Sequence, residues 1–367
     1  MVRFRGLSFY HWAVRPALFS LDPERAHELT MSGLRQPLVL KALASVANLP
    51  DNLRLRQRVM GLPFENPLGL AAGLDKQATA VAAWAALGFG HAEIGTVTPR
   101  PQPGNPKPRI FRLPADAALI NRLGFNSEGA AEVAKNLAAV SARGLVVGVN
   151  VGKNKLTPIE HAVDDYIRAV EALHRYADYF TVNVSSPNTE GLRTLQEAAT
   201  LRSLVEKVVA HVRSVAGTRT IPVLAKFSPD SPLPDLLASV DAALDAGASG
   251  VIATNTTVSR ASLASPGTLT AEAGGLSGAP LRAAANRTCQ QLFKHIGRRV
   301  PIIGVGGIFN ADHAYERIRS GATLVQIYTG LIYEGPGAPA RILRGLAERL
   351  ERDGFRSVAD AIGVDVQ

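Results

Sequence analysis

An α/β fold, specifically a (β/α)8 TIM barrel with an N-terminal helical extension, is the architecture that this chain of 367 residues predicts. Three observations carry it. From Asn66 onward eight short apolar runs recur, most of them near-continuously apolar, as strands covered on both faces must be. Amphipathic stretches with apolar residues three and four apart separate the runs. The composition, 46% hydrophobic and 19% charged, is that of a globular chain able to bury one large core. An open doubly wound sheet shares this alternation, because one sequence does not display closure.

In order, the strands are expected at Pro67 to Ala72, His91 to Thr96, Leu145 to Asn150, Tyr179 to Ser185, Ile221 to Ser228, Gly250 to Thr256, Pro301 to Gly307 and Thr323 to Thr329. Helical spacing is clearest at Thr157 to Ala177, at Thr194 to Ala216 and, last, at Pro339 to Asp353. The first 49 residues stand outside the repeat, so the chain divides into a helical leader, 1–49, and a barrel, 50–367. In the leader Phe9, Trp12, Leu18, Phe19 and Leu21 alternate with Arg3, Arg5, Arg15, Arg25 and Arg35. Asp22-Pro23-Glu24 reads as a helix start: the aspartate caps, proline fits the first turn and glutamate favours the dipole. Two short helices follow from this pattern. They are either an interfacial hairpin dipping into a membrane surface or a cap packed on the barrel.

The net charge is +9, and residues 1–60 hold nine Lys or Arg against four acids. Pro99 to Arg112 adds four basic residues and no acid. Nucleic-acid motifs and aromatic-flanked basic repeats are absent, so nucleic acid is not the expected partner, which leaves an anionic bilayer surface or mere solvation of the basic face. The longest charge-free run, Gln77 to Ala92, is broken by glycines and polar residues and does not read as a spanning helix. A single cysteine, Cys289, and no signal segment predict a reducing, cytoplasmic setting.

The strand ends carry the chemistry. In a βα barrel the loops after the strands build the active site. Ala71-Ala72-Gly73-Leu74-Asp75-Lys76 ends the first strand with small residues that admit a flat ligand and with a cation, although a lysine at a helix start is also a common surface feature. After the second strand, Pro99 to Arg109 has five prolines among eleven residues, too rigid for a linker, and Asn121-Arg122-Leu123-Gly124-Phe125-Asn126 continues it. Val182 to Thr189 sets Ser186 and two amides just past a buried strand, which makes Ser186 the candidate base. Asn150, Asn183, Asn188 and Asn255-Thr256 cluster at strand ends and predict an amide-rich, uncharged heterocycle as ligand.

Lys226 lies inside the apolar run Val223 to Phe227, where an ammonium needs an anionic partner; a Schiff-base nucleophile and the electron-rich edge of a cofactor are both open roles. Gly304-Val305-Gly306-Gly307-Ile308 and Tyr328-Thr329-Gly330 follow strands seven and eight, the place of the recurrent barrel phosphate site. Gly274 to Gly278 reads as a further close-approach loop. Neither a GxGxxG fingerprint nor a P-loop occurs, so the phosphate belongs to a mononucleotide-like cofactor. No metal-ligand spacing is present, and no metal is expected.

Taken together, AAGLDK, IGTVTPRPQPGNPKPR, NRLGFN, VNVSSPNT, LAKFSPD, ATNTT, GGLSG, GVGGI and QIYTG resemble the dihydroorotate dehydrogenase family, specifically its membrane-associated, quinone-reducing class 2. The resemblance spans nearly the whole chain. It implies FMN as cofactor, oxidation of (S)-dihydroorotate to orotate in pyrimidine biosynthesis, and a ubiquinone-type acceptor. Ser186 takes the base position, where class 1 enzymes have cysteine. Orotate contacts fall on Lys76, Asn121, Arg122, Leu123, Gly124, Phe125, Asn183, Asn188, Asn255 and Thr256. FMN contacts fall on Ala72, Gly73, Thr96, Asn150, Asn183, Lys226, Thr254, Gly278, Gly307, Tyr328 and Thr329, and the polar lining of the quinone tunnel on His27, Arg112 and Tyr328. No protein partner is implied. A class 1-like enzyme using fumarate or NAD, and a catalytically silent flavin-binding protein of the membrane surface, are the competing readings.

Overall fold

The computed structural model describes residues 9–47, 52–140, 144–189 and 191–366. Arg3 and Arg5 of the leader and the segment boundary at Leu49 lie outside the described residues. Eight parallel strands form a closed barrel: β1 Leu68–Leu70, β2 His91–Val97, β3 Val146–Val151, β4 Tyr179–Asn183, β5 Val223–Phe227, β6 Gly250–Ala253, β7 Ile302–Val305 and β8 Leu324–Ile327. Each falls within or against one of the eight apolar runs. Closure is made by β8 on β1, with Val325 opposite Leu68 and Ile327 opposite Leu70, which an open sheet would lack. The strands are buried along their length because helices cover their outer faces and side chains fill the inside.

Eight outer helices follow the strands in turn: α1 Val81–Ala86, α2 Ala130–Ala138, α3 Ala162–Leu173, α4 Ala198–Val215, α5 Leu233–Asp245, α6 Arg282–Ile296, α7 Ala311–Arg319 and α8 Ala338–Arg352. Their inner stripes repeat at helical spacing. In α3 they are Ala162, Tyr166, Ala169, Val170 and Leu173, and in α8 Ile342, Leu343, Leu346 and Leu350. The helix expected from Thr157 starts later, at Ala162, because Pro158 leads into a single 3₁₀ turn, Ile159–His161.

Additions to the repeat close both ends of the barrel. A hairpin, Gln57–Val59 with Leu62–Phe64, covers the bottom, where Val59 and Phe64 pack with Val146, Leu224, Ile252, Ile303 and Leu324 from inside the strands. Over the top lies an antiparallel sheet of Ile110–Leu113, Ala118–Asn121 and Gly275–Gly278. The glycine segment 274–278, expected as a loop, is therefore a strand, held because Gly275 to Gly278 pair with Asn121 to Ala118. Sequence gives little warning of this. Four residues with two glycines carry almost no strand propensity, and the partner strand supplies the order.

The leader is a helical cap on this upper face. A π-helical turn, Tyr10–Val14, runs into Arg15–Phe19; Pro23–Leu34 and Pro37–Ala47 follow. Asp22 caps the first long helix as its sequence predicts, accepting from Glu24 N and Arg25 N at 3.0 Å each. Docking is polar as well as apolar. Arg109 is buried and donates through Nε (3.0 Å) and Nη2 (2.6 Å) to Oε1 of the buried Glu24. Arg112 donates to the carbonyls of Phe19 and Leu21, and its guanidinium stacks 4.7 Å from the Phe19 ring centre. On the far side Phe9, Trp12 and Leu38 are 72%, 80% and 80% exposed. No helix among the described residues is long and apolar enough to cross a membrane.

Candidate functional site

The carboxyl ends of the strands and the loops beyond them enclose a cleft of about 960 Å³, counted to its open mouth. Ala72 and Gly73 line it from β1, Thr96 from β2, Asn183 from β4, Lys226 from β5, Thr254 to Thr256 from beyond β6, Gly306 and Gly307 from beyond β7, and Tyr328 and Thr329 from beyond β8. Lys76, Asn121, Leu123, Gly124, Phe125, Ser186, Asn188 and Gly278 complete the wall. In the closed ring β4 and β8 stand opposite each other, so Ser186 faces the glycine-rich end across the barrel.

Four of the residues singled out are not in this wall. Asn150 lies beneath it, fully buried, where Oδ1 accepts from Thr96 Oγ1 (2.5 Å) and Asn183 Nδ2 (3.1 Å). Arg122 turns outward; its guanidinium pairs with Glu272 and lies 4.6 Å from the Phe111 ring centre, so the substrate wall keeps its neighbours and not its side chain. The outward turn follows from the pleat, which alternates side chains past Asn121. His27 and Arg112 sit in the leader contact. The charge of Lys76 reaches His27 and, after burial, is the main influence lowering its pKa to about 4, so the imidazole is neutral at working pH.

The amides of the wall organise one another. Asn188 Nδ2 donates to Asn121 Oδ1 (3.1 Å), and Asn255 Nδ2 donates to Ser185 Oγ (3.0 Å) and Asn183 Oδ1 (3.3 Å). Ser186 is 6% exposed, and its Oγ accepts from Asn188 N at 3.3 Å. Lys76 donates to Asn126 Oδ1. Burial, and then the Arg109 guanidinium, lower its pKa to about 7, while Glu24 works in the opposite direction. Asn183 is fully engaged in this network, its Nδ2 donating to Thr96 Oγ1 and Asn150 Oδ1 and its Oδ1 accepting from Ser185 N and Asn255 Nδ2.

The floor holds the residues that strand-end reasoning missed. Glu93, fully buried on β2, accepts from Asn150 Nδ2 (2.7 Å) and Gln326 Nε2 (3.0 Å) and lies 3.5 Å from Lys226 Nζ. It is the anionic partner that a buried Lys226 requires. A carboxylate inside the run His91 to Thr96 is the same signal that marked the lysine, read on a strand three places round the ring from β5.

Several polar atoms of the cleft have no partner. Thr254 Oγ1, Thr256 Oγ1 and Gln326 Oε1 are buried and make no hydrogen bond, and Thr189 Oγ1 is likewise unpaired beside Ser186. Buried hydroxyls left open are costly unless a ligand or water meets them. Among the described residues no group of three His, Cys, Asp or Glu is placed to hold a metal ion.

Comparison with known proteins agrees with this geometry. The sequence model of the family described as dihydroorotate dehydrogenase matches residues 54–350. The dihydroorotate dehydrogenase (quinone) of Anaeromyxobacter dehalogenans (strain 2CP-C) is 51% identical over 356 residues, 96% of each chain. That of Deinococcus deserti is 49% identical over 362 residues, 97% of this chain and 99% of its own. A crystal structure of DHODH from Eimeria tenella in complex with ferulenol superposes with a TM-score of 0.84 at 40% identity, covering 95% of this chain and 98% of the other. A barrel with a Ser186-bearing, amide-lined cleft and full-length relatives of one kind leave one assignment: the chain belongs to the dihydroorotate dehydrogenase family.

Proposed function

We propose that the protein oxidises (S)-dihydroorotate to orotate, with FMN as its cofactor and a ubiquinone-type quinone as acceptor, in pyrimidine biosynthesis. The observation that carries this is Ser186, buried in an amide-lined cleft opposite a glycine-rich phosphate end, within a chain about half identical to quinone-type relatives. The cleft fits a flavin mononucleotide. It offers glycine backbone at Gly278, Gly306 and Gly307, the open Thr254 and Gln326 groups, and a cation at Lys226. Bound there, FMN would supply a two-electron acceptor for hydride from C6 of the substrate and a carrier of the electrons to a quinone.

The chain's residues supply the rest. Lys76 pairs with the substrate carboxylate, and Asn121, Asn183, Asn188, Asn255 and Thr256 hold the pyrimidine ring by its amide edges. Leu123 and Phe125 shut out water from above. Ser186 Oγ takes the proton from C5. A serine is a weak base, and the unpaired Thr189 hydroxyl supports a relay through ordered water. Lys226, backed by Glu93, would offset the negative charge that reduction builds on a bound flavin. Asn150 and Glu93 keep Thr96 and Asn183 in register from below.

Access for the quinone is through the leader, past His27, Arg112 and Tyr328. Exposed Phe9, Trp12 and Leu38, with the basic balance of the first 60 residues, support peripheral attachment to an anionic bilayer, the cytoplasmic face of a bacterial inner membrane. The reading is tested anaerobically. The yellow protein should bleach on adding dihydroorotate, and Ser186→Ala should keep its flavin while losing bleaching rate by about two orders of magnitude or more. An undiminished rate in that variant would remove Ser186 from the role.

A further inference from the structure

Behind the glycine-rich end lies a cation the proposed chemistry does not use. Arg317, on the inner face of α7, is fully buried, and no carboxylate lies within ion-pairing distance of it among the described residues. Its Nε donates to Asn286 Oδ1 of α6 (2.5 Å), Nη2 donates to the carbonyl of Gly306 (2.8 Å), and Nη1 donates to nothing. Burial lowers its pKa only to about 10, so it is charged at neutral pH. A dry guanidinium without a counter-ion is costly, and such charges are ordinarily paired.

The packing is built around it. A Cβ on Gly304 would stand 2.6 Å from Arg317 Cγ, so β7 leaves room for the stem. Gly307 has φ +73, and a Cβ there would meet Arg282 of α6 at 2.4 Å, so this wall is held tight against the helix behind it. The Gly306 carbonyl and the Gly307 N–H belong to one peptide plane and point in opposite directions. With the carbonyl turned back to Arg317, the N–H is turned toward the cleft that Gly306 and Gly307 line, and it makes no hydrogen bond among the described residues.

Resting on FMN as the cofactor, we propose that Arg317 is a positioning residue for the cofactor's phosphate. Its guanidinium fixes and polarises the Gly306–Gly307 peptide, whose N–H meets the phosphate, and it supplies positive charge to the dianion from behind the glycine-rich end. Hydrogen bonds in series strengthen one another in a low dielectric, so a donor capped by a guanidinium is a stronger donor. The missing counter-ion of Arg317 is then the ligand.

The test separates phosphate from flavin. The full-length protein is stripped of flavin and titrated with FMN and with riboflavin, which lacks the phosphate, following quenching of flavin fluorescence. In the unaltered protein FMN binds more tightly than riboflavin. In Arg317→Met, which keeps length and removes charge, FMN affinity should fall about tenfold or more while riboflavin affinity stays within about twofold, and Arg317→Lys should restore much of the difference. Equal losses for both flavins, or an unchanged FMN preference, would overturn the role and leave Arg317 a packing residue. Should Arg317→Met not fold, Asn286→Ala, which frees the Nε end, is read on the same ratio, with a narrowed preference for FMN supporting the role and an unchanged one overturning it. If the unaltered protein does not itself favour FMN, the cofactor reading falls, and this inference with it.

Discussion

In the role proposed for it, Lys76 is the residue whose ionisation most directly meets the substrate. Its pKa, about 7 without ligand, rises when an anionic carboxylate binds beside it. Below pH 7 the lysine is protonated with or without ligand, and orotate affinity is flat. Above pH 7 binding must take up a proton, so affinity should fall by up to about tenfold per pH unit until the pKa of the complex is reached. Orotate titrations followed by the flavin spectrum check this, and Lys76→Met should bind weakly with no such slope. The amides around it were legible in the sequence because Asn at four strand ends is hard to explain as turn chemistry. Glu93 and Gln326 were not, because a polar residue inside a strand run shows nothing of the neighbour it faces until the barrel closes.

Among elements, the leader and the proline-rich loop meet at one ion pair. Glu24 and Arg109 are both buried, and Lys107 Nζ reaches Glu24 and Glu28 at 3.7 and 3.8 Å. Removing one partner of such a pair strands the other, at a cost of about 3 kcal/mol. Glu24→Gln should therefore loosen the leader while leaving barrel melting nearly unchanged, seen as faster proteolysis within residues 9–47 and a raised KM for quinone. The eight barrel strands were readable because each is apolar on both faces. The extra sheet over the cleft was not, since Gly275–Gly278 is a strand only by virtue of its partner, Ala118–Asn121. Likewise Glu24 reads locally as a first-turn acid; its contact with Arg109, 85 positions away, depends on the docked leader.

At the level of the whole molecule, one face carries both the reaction and the exposed apolar leader. Trp12→Ser together with Leu38→Ser should reduce recovery on anionic lipid vesicles by about tenfold and lower turnover with a long-tailed quinone, while anaerobic bleaching by dihydroorotate continues at its normal rate. Loss of bleaching in that variant would show that the leader serves the substrate side directly. Closure of the barrel by β8 on β1, the step a single sequence does not display, sets the glycine-rich end opposite Ser186.

Glu24 has a consequence that reaches past its role as a clamp. It is at once the leader's anchor and the nearest anion raising the pKa of Lys76. A leader drawn away from the barrel takes that anion with it, and with it the one charge that favours the proton on Lys76 against Arg109. By thermodynamic reciprocity, whatever the state of attachment does to orotate affinity, orotate does equally to attachment. On the roles proposed for the leader and for Lys76, attachment to a bilayer and binding of the pyrimidine are linked through a single carboxylate.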